Sequence, residues 1–224
     1  MESEVITSRK IIYPGDIIGI IGEGRSSVQL VATAKSMGFK VATYVTSEKN
    51  GVNQYADISF VGSIHDGEKL QRFAERCKIV LYESELIDIK TIQYLQQFVS
   101  IPQGVKLLEL NQDRILERAT LEQTGIKGTP YVTVVDLDDL YESINEIGYP
   151  AILRPILKDA MTEKELILKS EIDIPKASVL LERGTYMLQP VMTGGKEIAV
   201  SIVKDQNNRQ KMFPIVLVIH TLKR

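Results

Sequence analysis

Asp16-Ile-Ile-Gly-Ile-Ile-Gly22 is a continuous apolar run of the kind that forms a parallel β-strand with both faces buried. A turn rich in glycine and serine follows at 22–27. The next segment ends at Gly38 and carries apolar residues at helical spacing, namely Val28, Val31, Ala34 and Met37. Strand, glycine turn and helix form the first half of a βαβ unit, so we expect this run to be a central strand of a parallel sheet.

The glycine turn places free backbone N–H groups at a helix N-terminus, where a phosphate is favoured by hydrogen bonds and by the helix dipole. The turn departs from the dinucleotide-binding fingerprint at two places. Ser27 stands where a third glycine is required, and Thr46 follows the second strand where an acidic residue is required. The pattern therefore favours a tight strand-to-helix connection over a dinucleotide site, and it disfavours an oxidoreductase.

Further apolar runs alternate with helical patterns up to about residue 110. The predicted strands lie at 40–45, 58–61, 78–82 and 105–108, and predicted helices begin at Asp66 and Asp88. Because each crossover between parallel strands returns right-handed to the same sheet, five strands in this order predict a doubly wound α/β domain.

Ligands of such a sheet collect at the carboxyl ends of its strands. The groups expected there are the glycine turn and the acidic residues Glu83 and Glu85 after the fourth strand. Two carboxylates in this place are typical either of a solvated loop or of a site for an amine or for hydroxyl groups.

The pattern changes at Asn111. A helix capped by Asn111 is expected to run to Gly125 before Gly128-Thr-Pro130 breaks the chain, so we place a linking helix at 111–128 between domains at 1–110 and 129–224. In the second domain we expect strands at 131–135, 151–154, 165–168 and 186–189, helices at 137–148 and 177–181, and a hairpin of 197–204 with 211–219.

Composition limits the classes of partner. The chain has 224 residues with a net charge of −2, and 44% of its residues are hydrophobic, so it offers no basic field for nucleic acid. Its N-terminus lacks the apolar core of a signal peptide, and no apolar run approaches the length of a membrane helix. We therefore expect a cytoplasmic protein with a small-molecule partner. Cys77 is the single cysteine, and we expect it at a buried helix end.

Several short motifs occur in order along the chain: Gly22-x-Gly24, Asn111-Gln-Asp-Arg114, Thr129-Pro130, Gly148-Tyr-Pro-Ala-Ile-Leu-Arg154, Lys196-Glu-Ile-x-Val-Ser201 and Phe213-Pro-x4-Ile219-His220. In this order the chain resembles the 5-(carboxyamino)imidazole ribonucleotide synthetases, an ATP-grasp family of purine biosynthesis. The resemblance implies a doubly wound pre-ATP-grasp sheet followed by a partial ATP-grasp α+β domain, and a homodimer.

The implied reaction is the carboxylation of aminoimidazole ribonucleotide by a ligase that uses ATP, Mg²⁺ and bicarbonate. Bicarbonate is a poor electrophile, so ATP phosphorylates it to carboxyphosphate before the amine captures the carboxyl group. The enzyme therefore mostly positions its reactants and neutralises charge.

The resemblance also implies the site residues. Arg114 and Arg154 face the ATP phosphates, the backbone of 189–192 pairs with adenine, Glu197 holds the ribose and His220 lies near the nucleotide. The implied ATP-binding residues are thus Arg114, Arg154, Gln189, Pro190, Val191, Met192, Glu197 and His220, and the implied ribonucleotide-binding residues are Gly22, Gly24, Ser26, Glu83 and Glu85. Taken singly, the same side chains also fit roles that involve no ligand: a helix surface charge for Arg114, a strand-end ion pair for Arg154, a hairpin charge for Glu197 and a solvated histidine for His220.

The chain departs from the family pattern after Arg154. A glycine-rich lid follows in the family, whereas residues 158–165 contain no glycine and carry Asp159, Glu163 and Glu165. The family also has glutamate at the position of Gln189, and its two metal-binding carboxylates lie beyond residue 224. We therefore expect impaired catalysis and assign no metal ligand. The alternative is a catalytically inactive nucleotide-binding or dimerisation module.

Overall fold

The computed structural model describes residues 11–158, 164–192, 194–205 and 207–218. Its first part is a parallel sheet, in which the described strands follow the order β3-β2-β1-β4. Their bounds are β1 (Ile17–Ile21), β2 (Lys40–Val45), β3 (Ile58–Val61) and β4 (Ile79–Tyr82). Every neighbouring pair is parallel, which confirms the predicted parallel sheet.

Helices cover both faces of this sheet, as expected for a doubly wound fold. The helices are α1 (Arg25–Ser36), α2 (Gly67–Arg76) and α3 (Ile89–Leu95). On one face, Val31 of α1 packs with Ile18 and Ile20 of β1. On the other face, Phe73 of α2 packs with Val80 of β4. The burial of both faces explains why β1 is continuously apolar.

The first helix ends just before Gly38, as predicted. Its last residue is Ser36, and Met37, the last apolar residue of the helical pattern, is 61% exposed. Gly38 follows with φ +86°, a left-handed conformation that favours glycine.

The predicted fifth strand at 105–108 is wrong. These residues lead into a helix, α4 (Lys106–Gln112), in which Leu108 is buried while Leu107 is exposed. Beside β4 the described chain instead forms an isolated parallel bridge between Ile79 and Ser100. A four-residue apolar run does not distinguish a strand from a half-buried helix by its periodicity, which explains the error.

The next helix also begins later than predicted. Asn111 lies inside α4 and caps nothing, whereas Asp113 caps α5 (Arg114–Gln123). The Asp113 carboxylate accepts hydrogen bonds of 2.9 Å from the backbone N–H groups of Ile115 and Leu116.

A second sheet follows, and it is antiparallel. Its described strands have the order β5-β8-β6-β7, with bounds β5 (Val132–Val134), β6 (Ala151–Pro155), β7 (Leu166–Leu168) and β8 (Tyr186–Pro190). The helices α6 (Leu137–Ile147) and α7 (Ser178–Leu181) supply Leu140 and Leu180 to its core. This arrangement confirms the predicted α+β part.

The predicted hairpin near the end of the chain is present, paired as two short ribbons with the backbone N–H of Phe213 bonded to the carbonyl of Ser201 between them. β10 (Ile202–Lys204) pairs with β11 (Gln210–Met212), and β9 (Ile198–Ala199) pairs with β12 (Val216–Leu217), both antiparallel. All residues of these four strands are exposed. Ile219, the end of the predicted hairpin, lies outside the described residues. Within the described ranges, no helix has the length and apolar character needed to cross a membrane.

Candidate functional site

The glycine turn and Glu83 meet at one edge of the parallel sheet. β1 and β4 are parallel neighbours, so the residues that follow them lie side by side. Ser27, in the first turn of α1, is fully buried, and its hydroxyl donates a hydrogen bond of 2.9 Å to Glu83 Oε2. The structure thus brings together the turn and the first of the two acidic residues singled out in the sequence.

The Glu83 carboxylate packs directly against the two glycines of the turn. A Cβ atom on Gly22 would lie 2.3 Å from Ser27 Oγ and 3.1 Å from Glu83 Oε2. A Cβ atom on Gly24 would lie 3.2 Å from the same carboxylate oxygen. The glycines therefore permit a negative charge to sit beside the N-terminus of α1, where the helix dipole stabilises it. A carboxylate in this place repels a phosphate and accepts hydrogen bonds from an amine or a hydroxyl group.

The intervening residue, Glu23, fixes the turn to the end of β2. Its Oε1 accepts hydrogen bonds from the backbone N–H of Thr46 and, over 2.7 Å, from the Thr46 hydroxyl. Thr46 is the position at which the dinucleotide fingerprint requires an acidic residue. An acidic side chain does reach this place, but it comes from the turn itself and is already bonded.

A cleft of about 490 Å³ opens beside Glu83. Its lining includes Glu83 and Glu85, with Gln103, Leu107 and Asn111 from the segment after β4. Glu85 is exposed, and its backbone carbonyl accepts a hydrogen bond of 2.8 Å from the side chain of Gln112. Both predicted carboxylates therefore line one cleft between the parallel sheet and α4.

One predicted residue of this site and one missed residue are neighbours on α1. Ser26 is exposed, whereas Ser27 makes the contact with Glu83. The position of Ser27 at the missing third glycine was the available signal, because a polar side chain at a position that packs closely on the sheet needs a hydrogen-bond partner.

The two arginines assigned to the ATP phosphates converge on one carboxylate. Glu165 Oε1 lies 2.9 Å from Arg154 Nε and 3.4 Å from Arg114 Nη2. Arg114 is also anchored to the backbone, since its Nε donates a hydrogen bond of 3.1 Å to the carbonyl of Pro155. The structure therefore brings both arginines together. It also shows Arg154 in an ion pair at the end of a strand, which was the alternative, structural role considered for this residue.

The segment assigned to adenine begins at a buried glutamine. Gln189 Oε1 accepts a hydrogen bond of 3.2 Å from Arg118 Nη2, and the same nitrogen donates to Thr129 Oγ1 over 2.9 Å. Further along, Pro190 is half-buried, and the backbone N–H of Val191 donates to the carbonyl of Pro150 over 2.9 Å. Met192 is exposed.

Arg118 was missed by the sequence reasoning. It follows Arg114 by four residues on α5, and this spacing places both side chains on one side of the helix. That periodicity was the signal available in the sequence.

The remaining predicted residues stand apart or lie outside the described ranges. Glu197 is exposed just before β9, in a ribbon separate from the sheet that carries Gln189. His220, Asp159 and Glu163 lie outside the described residues. In the described part of the chain, no group of three His, Cys, Asp or Glu side chains is arranged to hold a metal ion, so we name no ligand for Mg²⁺.

Comparisons with known proteins show which proteins this chain is similar to. The family model of the ribonucleotide synthetase preATP-grasp domain matches residues 16–112. N5-carboxyaminoimidazole ribonucleotide synthase from Bacillus subtilis is 32% identical over 213 residues, which are 95% of this chain and 56% of that protein.

Two crystal structures show the same relationship. The ADP complex of an N5-carboxyaminoimidazole ribonucleotide synthetase matches with a TM-score of 0.88 at 32% identity, covering 96% of this chain and 57% of that one. The Staphylococcus aureus enzyme complexed with ADP matches with a TM-score of 0.86 at 26% identity, covering 94% of this chain and 56% of that one. The chain is therefore similar in sequence and in fold to the N5-carboxyaminoimidazole ribonucleotide synthetases and spans about half of their length.

Proposed function

We propose that this chain binds a ribonucleotide and an adenine nucleotide for the formation of N5-carboxyaminoimidazole ribonucleotide, and that its phosphoryl transfer is impaired. The observation that carries the proposal is the Ser27–Glu83 pair beneath the glycine turn. It fixes a carboxylate at the carboxyl edge of the sheet, beside a cleft of about 490 Å³. This is where a doubly wound sheet binds its ligands.

In this proposal Glu83 accepts a hydrogen bond from the amine of aminoimidazole ribonucleotide. One carboxylate oxygen is held by Ser27, so the carboxylate cannot rotate freely and the amine is oriented as well as bound. Glu85 faces the same cleft and accepts from a ribose hydroxyl. The glycine backbone at Gly22 and Gly24 allows the ribonucleotide to approach closely, and Ser26 is assigned to the edge of the same site.

The adenine nucleotide is assigned to the second sheet. Arg114 and Arg154 are proposed to face the phosphates, residues 189–192 to face adenine, and Glu197 and His220 to complete the site. Bound Mg²⁺ supplies charge neutralisation for the phosphates. We assign no ligand for this ion among the described residues. The contribution of the chain itself is therefore to position the nucleotide and to balance its charge with the two guanidinium groups.

A second candidate is a nucleotide-binding or dimerisation module without catalysis. The contact of Glu165 with both arginines favours it, because these cations are then already neutralised in part. The exposed apolar side chains of Ile215, Val216 and Leu217 also favour it. In either case we propose a homodimer that acts in the cytoplasm, with small-molecule ligands and with neither nucleic acid nor membrane as a partner.

The test of the ribonucleotide site is calorimetric titration with aminoimidazole ribonucleotide. Glu83→Gln is expected to weaken binding by at least about tenfold, since a hydrogen bond to a charged group contributes roughly 1.5–3 kcal/mol. Glu142→Gln is the matched control, because Glu142 is an exposed carboxylate on α6. Equal affinity of the two variants would refute the proposed role of Glu83.

A further inference from the structure

We propose that Glu165 determines the ligand preference of the second site by competing with the phosphate chain for Arg114 and Arg154. The site would then hold a nucleotide mainly through its nucleoside. This inference rests on the proposed function, which assigns an adenine nucleotide to this site. It adds Glu165 to this site as a residue whose negative charge disfavours binding of the triphosphate.

The register of the second sheet fixes the position of Glu165. β6 and β7 are antiparallel, with Leu153 opposite Leu166. Arg154 and Glu165 are the next residues beyond this pair, on β6 and just before β7. Neighbours of opposite charge on adjacent strands attract each other, so the register of the two strands and the opposite charges both favour the contact of Glu165 with Arg154.

The ion pairs are partly shielded from water. The side chain of Arg114 is 15% exposed, that of Arg154 is 31% exposed and that of Glu165 is 37% exposed. Attraction between charges at such a depth is screened less than at an open surface. A phosphate must therefore displace the Glu165 carboxylate or bind beside a like charge.

A third cation near this site is also engaged. Lys158 Nζ lies 3.5 Å from Glu117 Oε2, and the Lys158 side chain is 12% exposed. The backbone N–H of Lys158 donates to the carbonyl of Gln112 over 2.8 Å, which places the residue next to the C-terminal end of α4. Two arginines and one lysine thus face two carboxylates, so this local set has a charge of +1. Removal of the Glu165 charge raises it to +2.

The experiment compares three probes on Glu165→Gln and on the unmodified chain. The probes are adenosine, ATP and inorganic tripolyphosphate, each titrated by calorimetry at low and at moderate salt. Glu165→Gln keeps the shape of the side chain and removes its charge. We expect it to raise the affinity for ATP and for tripolyphosphate by about tenfold at low salt, less at moderate salt, and to leave the affinity for adenosine unchanged.

The matched control is Glu68→Gln, which removes an identical charge from an ion pair with Arg72 on α2. We expect no change in any of the three affinities. Arg114→Ala combined with Glu165→Gln is expected to lose the gain. Glu165→Ala provides a second variant in case the glutamine variant fails to give the native melting transition.

The outcomes separate this inference from the proposed function. If adenosine binds, and the ratio of the affinity for ATP to the affinity for adenosine is the same in Glu165→Gln and Glu68→Gln, the inference about Glu165 is overturned. The proposed function is not overturned by this result. A gain for tripolyphosphate without adenosine binding overturns the assignment of adenine and supports the competition by Glu165. An absence of binding for all probes and all variants overturns both.

Discussion

Ser27 on α1 and Glu83 after β4 are joined by a hydrogen bond of 2.9 Å, although 56 residues separate them in the chain. The bond links the first crossover helix to the neighbouring strand end across the glycine turn. It also gives the fully buried Ser27 hydroxyl a partner, without which that group would destabilise the fold. One contact therefore stabilises the turn and orients the carboxylate proposed to bind the ribonucleotide.

The first prediction concerns the space beneath this turn. Gly22→Ala introduces a Cβ atom 2.3 Å from Ser27 Oγ, at a φ of +158°. We expect Ser27 to move away from Glu83 and the free energy of unfolding to fall by about 1–3 kcal/mol, as is typical of overpacking. Chemical denaturation measures the change, and titration with aminoimidazole ribonucleotide is expected to show weaker binding.

Gly51→Ala is the control for this substitution. A Cβ atom there meets nothing within 4 Å, and Gly51 begins a short 3-10 helix, Gly51–Tyr55. We expect a change in stability of less than about 0.5 kcal/mol. If both variants unfold alike, the packing of Gly22 against Ser27 has no special role.

The second prediction concerns acid stability. The backbone N–H of Val41 donates to the Asp57 carboxylate over 2.8 Å, and Lys35 Nζ lies 3.0 Å from it. The hydrogen bond from Val41, helped by Lys35, holds the pKa of Asp57 below its ordinary value of 3.8. The carboxylate therefore stabilises the fold fully above the unfolded pKa, and this contribution is lost as the pH falls through the lower, folded pKa.

Asp57→Ala tests this contribution. At neutral pH we expect it to lower the free energy of unfolding by about 1 kcal/mol, because the hydrogen bond from Val41 to this partly exposed carboxylate is lost. The difference from the unmodified protein is expected to shrink as the pH falls below about 4. Urea titrations at several pH values measure it, and a difference that stays constant down to low pH would contradict the linkage.

The third prediction concerns the single cysteine. Burial raises the pKa of the Cys77 thiol to about 12, and the thiol donates a hydrogen bond of 3.1 Å to the carbonyl of Phe73. Because the thiolate is the reactive form, we expect a thiol reagent to label the folded protein at least about a hundredfold more slowly than the protein in denaturant. A comparable labelling rate in the two states would show that Cys77 is accessible.

Much of the fold follows from periodicity, and the failures have a common physical basis. β1 was predictable because a continuous apolar run whose last four residues are buried has few other interpretations. The run at 105–108 was not, because α4 is chosen by the packing of Leu108 against the first core, a tertiary effect that is invisible in four residues. The contacts of Glu165 were equally hidden, since they depend on the register of β6 with β7.

The fourth prediction concerns the buried Gln189. Its side-chain oxygen lies 3.2 Å from Arg118 Nη2. Gln189→Glu turns a hydrogen bond with one charged partner, the Arg118 guanidinium, into an ion pair, which is shorter and stronger, so we expect a rise in the melting temperature of a few degrees. In an Arg118→Ala background the same change buries an unpaired carboxylate and is expected to destabilise the protein. A Gln189→Glu variant that destabilises both backgrounds equally would show that Arg118 does not act through this side chain.

The last prediction concerns catalysis by the chain itself. With ATP, Mg²⁺, bicarbonate and aminoimidazole ribonucleotide, we expect no ribonucleotide-dependent release of phosphate above background. Phosphoryl transfer depends on cations that are already aimed at the charge developing on the phosphoryl oxygens, whereas Glu165 lies 2.9 Å from Arg154 Nε and 3.4 Å from Arg114 Nη2. A coupled phosphate assay with and without ribonucleotide measures the rate. Release at an enzymatic rate that depends on the ribonucleotide and is abolished by Arg154→Ala would show that the two arginines remain available to ATP despite their contact with Glu165.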